Sequence, residues 1–597
     1  MKQFFKYFLA SGLAYLVFGL ILFFLVIGIS STLFPSPEPI TVKNNSVLHL
    51  KFDTPISETS YFELEPASFK AVNVLGLNDV VRSIDYARED DKIKGIYLEP
   101  SFMSIGLGAL EEIHDALERF KESGKFIVAY SEAYSQAGYY LASVADEIYV
   151  YPTGALQWSG LSSEKMFFKQ MLDKLGVEMQ IIRGSNNKFK SAVEPFFLEK
   201  MSDANREQTE KYLYSFWNHW ITEISKARGI SEEELNSLAD NMTISSPTQA
   251  VDNKLATAVK YQDEVEDLLR EKLSLEKKRK LETVGLIDYV EYAKNKLVVK
   301  NSGLKNIAIV YANGEIASGK GTAEIIGSET TVAHLRKVRN NDSIKALVLR
   351  VNSPGGSALA SDVIWREIEL IKKSGKKVVV SMGDLAASGG YYISCNADRI
   401  FAQENTITGS IGVFGVVPNA QEFLNDKIGL TFDRAKTNEH ADIMSLTKPL
   451  SEEEYTVIQK EVDRIYDDFI MRVAEGRKMT KSKVDSIGQG RVWSGKDALA
   501  INLVDEIGGI EEAVAYAAEL ANISEPRVMD IPKKKKDAAE EILKALAQEN
   551  EENEQFVMSQ PGSFSNEIIG KLRKISSLNI QGQDRIQARL PYLITIK

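Results

Sequence analysis

The chain has 597 residues, 44% hydrophobic and 26% charged, so it exceeds one hydrophobic core and cannot be wholly disordered. Its 72 Lys and Arg against 83 Asp and Glu leave a net charge of −11, which offers no excess for neutralising phosphates and sets nucleic acid aside as a partner. One cysteine, Cys395, excludes an intramolecular disulfide and a cysteine-cluster metal site, and five scattered histidines without an H-E-x-x-H run give no zinc signature.

From Tyr7 to Pro37 no residue is charged, and Tyr7 to Leu33 is dense in Leu, Ile, Val, Phe and Gly. About 20 apolar helical residues cross a bilayer core, so residues 7–33 are expected to form a transmembrane signal anchor. Lys2 and Lys6 precede it, which keeps residues 1–6 cytoplasmic and exports the rest. A cleaved signal peptide is the alternative, but the run is too long and Ile27 to Ser31 makes a weak cleavage site.

Beyond the anchor the chain repeats itself. IKGIYLEP from Ile93 returns as IKALVLRV from Ile344, and the segment opening at Ser123 returns from Ser374. The register is 251, then 252 after one added residue, so Tyr139, Tyr140 and Asp146 match Tyr391, Tyr392 and Asp398. A period this long marks duplicated domains, expected over 46–300 and 305–530. In the second copy Asn306 to Tyr311, Lys345 to Val351, Lys377 to Ser381 and Arg399 to Ala402 read as buried strands. Helical spacing puts Ile364, Ile368 and Ile371 on one face, as it does Leu110, Ile113, Leu117 and Phe120 in the first copy. Strand–helix alternation argues for an α/β fold of stacked βαβ units. The charged stretch from Gln262 to Leu297 is expected to be a helical linker, and residues 531–597 a polar tail, solvated where it is richest in charge.

Chemistry is sought where the copies differ. The second carries Asn352-Ser353-Pro354-Gly355-Gly356-Ser357 after a strand, where the first has Pro100 to Met103 without the glycine pair. Paired glycines let backbone N–H groups turn toward an anion, although the motif alone favours a plain turn with Ser357 as helix cap. Ser388, between Ala387 and Gly389, has the small-x-Ser-x-Gly pattern of a nucleophile elbow, or of an ordinary small-residue turn. The first copy has Gln136 there. No histidine stands in a persuasive base motif, and His440 reads as a solvated loop residue. A lysine can be the base if burial without a carboxylate drives off its proton. Lys190 has fitting company in Phe189, Ala192, Val193, Phe196 and Phe197, against the surface charge that most lysines are.

These motifs together resemble the long-form signal peptide peptidase A family, membrane-anchored Ser–Lys proteases with two tandem ClpP/crotonase-like domains. FKSAVEPF is similar to the family's lysine segment and places the base at Lys190. GDLAASGGYYIS is similar to its nucleophile segment and places the serine at Ser388. RVNSPGGSALASD resembles the loop beside the oxyanion hole, implying backbone donors at Gly355, Gly356 and Gly389. ITGSIGVFG resembles a segment that orients the lysine, here through Ser410. The resemblance implies one site per chain split between the copies, no metal and no cofactor. It further implies a homo-oligomer, suspected to be a tetramer, enclosing its sites over the membrane. The expected setting is the inner (cytoplasmic) membrane, with the catalytic domains on the periplasmic or external side. Expected substrates are cleaved signal peptides and other extended peptides.

Three rivals stand beside this reading. Gly314 to Thr322 nearly spells a P-loop, but Gly321 occupies the position of the required hydroxyl. Crotonase-like folds also process acyl-CoA thioesters. A non-catalytic membrane scaffold would lack a serine that a serine-directed probe could label.

Overall fold

In the computed structural model the described residues are 18, 40–64, 71–100, 103–276, 279–300, 303–532 and 586–589. The anchor expected over 7–33 and residues 533–585 of the tail lie outside them. Among the described residues no helix is long and apolar enough to cross a membrane. Residues 43–61, 73–534 and 560–597 form one compact unit, which holds every element named below. Of a second unit, residues 1–42, 62–72 and 535–559, little is described.

The first copy is built on β1 (Ser46–Lys51), β2 (Ile93–Glu99), helix α1 (Leu107–Lys121), β3 (Phe126–Tyr134), helix α2 (Gln136–Ala142), β4 (Glu147–Leu156), β5 (Glu178–Arg183), helix α3 (Asp203–Arg228), β6 (Ala258–Val259) and β7 (Thr283–Gly285). Its sheet runs β7-β1-β2-β3-β4-β6, all parallel.

The second copy has β8 (Ile307–Asn313), β9 (Glu315–Ala317), β10 (Ile325–Gly327), β11 (Ala346–Ser353), β12 (Gly355–Ser357), helix α4 (Ala358–Lys373), β13 (Lys377–Ala387), helix α5 (Gly389–Ser394), β14 (Arg399–Ala402), β15 (Ile407–Gly409), β16 (Phe414–Asn419), β17 (Val492–Ser494), β18 (Glu506–Ile507), β19 (Val528–Ile531) and, far along the chain, β20 (Ile586–Arg589). The order β19-β8-β11-β13-β14-β18, again all parallel, repeats the first sheet strand for strand.

The duplication reaches single hydrogen bonds. Tyr139 Oη donates to the Leu255 carbonyl at 2.8 Å and Tyr391 Oη to the Leu503 carbonyl at 2.9 Å. Asp146 accepts from the Ile127 N–H at 2.8 Å, and Asp398 from the Val378 N–H at 2.9 Å. The residues that both copies share thus hold the fold.

Both faces of the second sheet are covered, which is why its strands read as unbroken apolar runs. Ala308, Val310, Leu347, Leu349 and Val378 pack with Ile364, Ile368 and Ile371 of α4. Ile307, Ile309, Ala346, Val348 and Val379 pack on the other face against Ile510, Ala513 and Ala517 of a helix over Ile510–Leu520. The expected linker corrects in the same way. Helix Gln262–Lys272 lays Val265 and Leu269 against Val47, Val128 and Tyr149, and β7 closes the sheet edge. Its charges face outward while one stripe is apolar, so it forms a layer of the first domain.

A third sheet joins the copies. Its order is β10-β9-β12-β20-β16-β5, so β5 of the first copy pairs antiparallel with β16 of the second, Phe414 opposite Arg183. Buried charge adds to this union. Arg350 on β11, 1% exposed, donates to Glu58 at 2.7 and 3.2 Å, to Glu112 of α1 at 2.6 Å and to Ser381 Oγ at 2.8 Å. Asp384, near the end of β13, accepts from the Ala109 N–H at 2.9 Å, in the first turn of α1, where the helix dipole favours an anion.

Arg350→Met strands two buried carboxylates and is expected to destabilise the chain by about 3–5 kcal/mol. Urea unfolding reads this, and adding Glu58→Gln and Glu112→Gln should recover much of it. A loss below about 1 kcal/mol for the single variant contradicts the anchoring role assigned to Arg350.

Candidate active site

Ser388 lies between the end of β13 and the start of α5, at φ 56° and ψ −114°. A side-chain-bearing residue seldom holds a positive φ, so the surroundings must enforce it. The Ser388 N–H donates to the Gly409 carbonyl at 2.8 Å, and its carbonyl accepts from the Tyr392 N–H at 2.8 Å. The turn is pressed close beneath, since a Cβ on Gly390 would stand 2.8 Å from the Ser353 carbonyl oxygen. The small neighbours seen in the sequence are therefore a packing requirement.

Lys190 arrives from the first copy. Its turn is stitched to the loop before β17, where the Phe189 N–H donates to the Gln489 carbonyl at 2.9 Å, and that loop is held in turn by the Gly490 N–H donating to the Ile411 carbonyl at 2.7 Å. Gln208 on α3 donates to the Phe189 carbonyl at 3.0 Å and to Ser191 Oγ at 2.9 Å, while its Oε1 accepts from the Val492 N–H at 3.1 Å. Glu194 accepts from Ser202 Oγ at 2.6 Å and Asn205 Nδ2 at 2.7 Å, which occupies the nearest carboxylate of this segment away from the lysine.

Lys190 Nζ ends 2.8 Å from Ser388 Oγ, 3.0 Å from Ser410 Oγ and 3.2 Å from the Ser410 carbonyl oxygen. Lys190, Ser388 and Ser410 are each 0% exposed. The face of the Phe414 ring stands 5.9 Å from the amine. Burial holds the Lys190 amine well below the usual lysine range, with no carboxylate pulling it back. A buried neutral amine against a serine hydroxyl is the arrangement of a general base and its nucleophile.

The expected oxyanion donors lie on α5 and on β12. Gly389 opens α5, where N–H groups have no acceptor within the helix. Gly355 and Gly356 take φ 98° and 154°, and a Cβ on Gly356 would fall 2.0 Å from the Ile316 carbonyl oxygen, so no side chain fits. The Gly355 N–H itself donates to Ser353 Oγ at 3.1 Å.

Sequence reading missed Gln489, Gly490 and Gln208, which brace the lysine from segments distant in the chain and carry no motif. In the first copy Gln136, in the serine's place, closes a loop instead: its Oε1 accepts from the Ser159 and Gly160 N–H groups, both at 2.8 Å. His440 is exposed. The P-loop-like run covers β9 and part of the loop before β10, with no helix directly after Lys320. Among the described residues one group, His114, Asp115 and Glu118 on α1, has metal-ligand spacing, and none of the three bonds to Lys190 or Ser388.

Comparison with known proteins follows this geometry. Peptidase family S49 matches residues 119–276 and 371–524, one match in each copy, and Clp protease matches residues 305–408. Protease 4 of Haemophilus influenzae is 40% identical over 456 residues, 74% of this chain and 73% of that protein. Protease 4 of Salmonella typhi is 38% identical over 486 residues, covering 79% and 77%. The chloroplastic serine protease SPPA of Arabidopsis thaliana is 34% identical over 456 residues, covering 75% and 66%. The protein is a serine protease of ClpP-like fold. It belongs to peptidase family S49, the signal peptide peptidase A family.

Gly490→Ala tests the bracing of the lysine. Its new Cβ would stand 2.5 Å from Lys190 Cβ, at φ 76°. Displacement of a base by about 1 Å lowers kcat by about 10²-fold. Peptide hydrolysis by a variant with unaltered circular dichroism should show that loss, and near-normal kcat would refute the bracing.

Proposed function

We propose that this protease cuts extended peptides with Ser388 as nucleophile and Lys190 as general base. The 2.8 Å contact between their side chains inside a fully buried site carries the reading. A neutral amine has two N–H groups and one lone pair. Ser410 offers two acceptors, its carbonyl and its hydroxyl oxygen. Two donations to Ser410 leave the lone pair for the Ser388 hydroxyl.

Attack then runs in balanced steps. Ser388 Oγ bonds to the peptide carbonyl carbon as its proton passes to Lys190 Nζ. Negative charge on the carbonyl oxygen meets the Gly389 N–H and the Gly355–Gly356 loop, donors of a kind worth roughly 3–4 kcal/mol. The Lys190 ammonium returns its proton to the departing amine as the C–N bond breaks. Water, deprotonated by Lys190, then cleaves the ester and restores the serine.

Substrate binding follows from the edges that flank the site. β12 and β16 lie one strand apart with β20 between them, and an extended peptide in that position would gain main-chain hydrogen bonds from both. The apolar cluster of Phe414 with Ile181, Phe196, Phe197 and Val416 suits apolar side chains, hence signal-peptide cores. Membrane anchoring rests on the uncharged Tyr7–Pro37 stretch, with the catalytic domains outside the cytoplasm. Exposed Ile428, Leu430, Phe432 and Leu446 give copies an apolar surface for assembly into an enclosed oligomer, taken here as a tetramer.

Ser388→Ala and Lys190→Ala should each lower kcat by about 10⁴-fold or more with unfolding unchanged. Near-normal hydrolysis by either ends the assignment. The pH profile gives an independent reading. The active form is the deprotonated amine, so kcat/KM should rise with pH, with a midpoint well below the ordinary lysine value of about 10.4. A midpoint at that ordinary value would show a solvated lysine.

A further inference from the structure

Helix α1 carries a group of polar side chains that the proposed reaction does not use. One ring nitrogen of His114 and one carboxylate oxygen from each of Asp115 and Glu118 lie within 4.8 Å of one another. His114 Nδ1 stands 3.8 Å from Asp115 Oδ1, beyond hydrogen-bonding distance. The His114 side chain is 2% exposed, and among the described residues neither of its ring nitrogens has a hydrogen-bond partner. A neutral imidazole carries one N–H donor and one lone pair, and both are costly to bury unmet. The ring is also held in place, stacked on Tyr140 at 4.4 Å and 14°, with Tyr140 stacked in turn on Trp220 at 5.2 Å.

We propose that His114, Asp115 and Glu118 bind one divalent transition-metal ion, with zinc the best match, and that the ion braces the union of the two copies. Acidic side chains on a surface need no ion. The buried imidazole without a partner, with a nitrogen aimed among the two carboxylates, sets this group apart. A nitrogen with two carboxylate oxygens suits zinc, whereas calcium and magnesium favour oxygen alone. Three protein ligands leave the fourth position to water. Ligand atoms about 2.1 Å from a tetrahedral zinc stand roughly 3.4 Å apart, so the carboxylates must close in by about 1 Å. Their side chains are 40% and 42% exposed, which gives them freedom to move and gives the ion a path from solvent.

The surroundings support the ligands. Gln403 of the second copy donates to Asp115 Oδ2 at 3.2 Å, which orients the carboxylate while Oδ1 stands by the histidine. Glu223 on α3 adds negative charge, and Lys226 lies 4.0 Å from Glu118 and 3.6 Å from Glu223 on a side chain exposed enough to swing aside. Arg119, the other nearby cation, is engaged by Asp85 and Glu512. Helix α1 is also the element that fastens the first copy to the second. Its Ala109 N–H meets Asp384, Glu111 accepts from the Glu404 and Asn405 N–H groups, and Glu112 holds Arg350. An ion on Asp115 extends that row by one helical turn, on a carboxylate that already reaches Gln403. Its role is structural, and no step at Ser388 or Lys190 passes through it.

Zinc chloride titrated into the untagged full-length chain, after dialysis against EDTA, should bind at one ion per chain by calorimetry. It should raise the thermal unfolding midpoint by about 3 °C or more. His114→Phe keeps an aromatic ring beside Tyr140 and removes both nitrogens. The pair Asp115→Asn with Glu118→Gln alters only partly exposed side chains and leaves the core as it is. Each should weaken zinc at least about 100-fold and abolish the shift, while His440→Ala, at an exposed histidine, should change neither. Absence of zinc binding by the wild-type chain overturns the proposal, as does wild-type affinity in the carboxylate pair, which decides alone should His114→Phe fail to fold. Calcium chloride is the control for chemistry: calcium bound as tightly as zinc, with no loss in His114→Phe, would mark an ordinary acidic patch and overturn the site as well.

Discussion

Everything in this molecule depends on keeping one amine out of water. A lysine in solvent is a cation and takes no proton from a serine; each unit by which its pKa falls reflects about 1.4 kcal/mol of disfavoured charge. Lys190 meets this condition by burial alone. Neither copy of the domain could supply it unaided, because the lysine turn belongs to the first copy, whereas Ser410, Phe414 and the Gln489–Gly490 loop, which enclose it, belong to the second.

An amine in this state is spoiled by any carboxylate within reach, and the region where the copies meet buries several. Each is engaged elsewhere. Glu58 and Glu112 hold Arg350, Glu111 accepts from the backbone of Glu404 and Asn405, Asp384 accepts from the start of α1, and Glu194 accepts from Ser202 and Asn205. Polar contacts that fasten the two copies and apolar contacts that dry the lysine are thus kept apart, which reconciles a charged union with a neutral base. The same separation explains why two short polar side chains, Gln208 and Asn187, do the local bracing: amides bond to backbone without bringing charge. Asn187 Nδ2 donates to the Val413 carbonyl at 2.7 Å in this role.

Much of this could be read from the letters. The strands of the second copy lie where unbroken Val, Leu and Ile runs put them, because a parallel sheet covered on both faces leaves no polar alternation. The motifs singled out Lys190, Ser388 and Ser410, and the structure brings the three side chains together. What stayed hidden depended on distance along the chain. Gly490 lies 300 residues from Lys190 and looks like any loop glycine until its missing side chain is seen to make room for the lysine. The helix over Gln262–Lys272 was masked by its charges, since two apolar positions, Val265 and Leu269, suffice to seat a short helix on a sheet. β20 was hidden for the opposite reason. Ile-Gln-Ala-Arg has no strong strand preference, and its conformation is set by the two edges that receive it.

The split of the site between copies also orders events in time. A ribosome makes residue 190 long before residue 388, so the growing chain carries the proposed base without the proposed nucleophile, and without the second-copy residues that enclose its amine. On the proposed assignment, a chain arrested before residue 388 holds the base without its nucleophile. The duplication thereby gives a safeguard that a single-domain enzyme must obtain from a removable pro-segment: the ability to cut appears only once the two halves of the same chain have closed on each other.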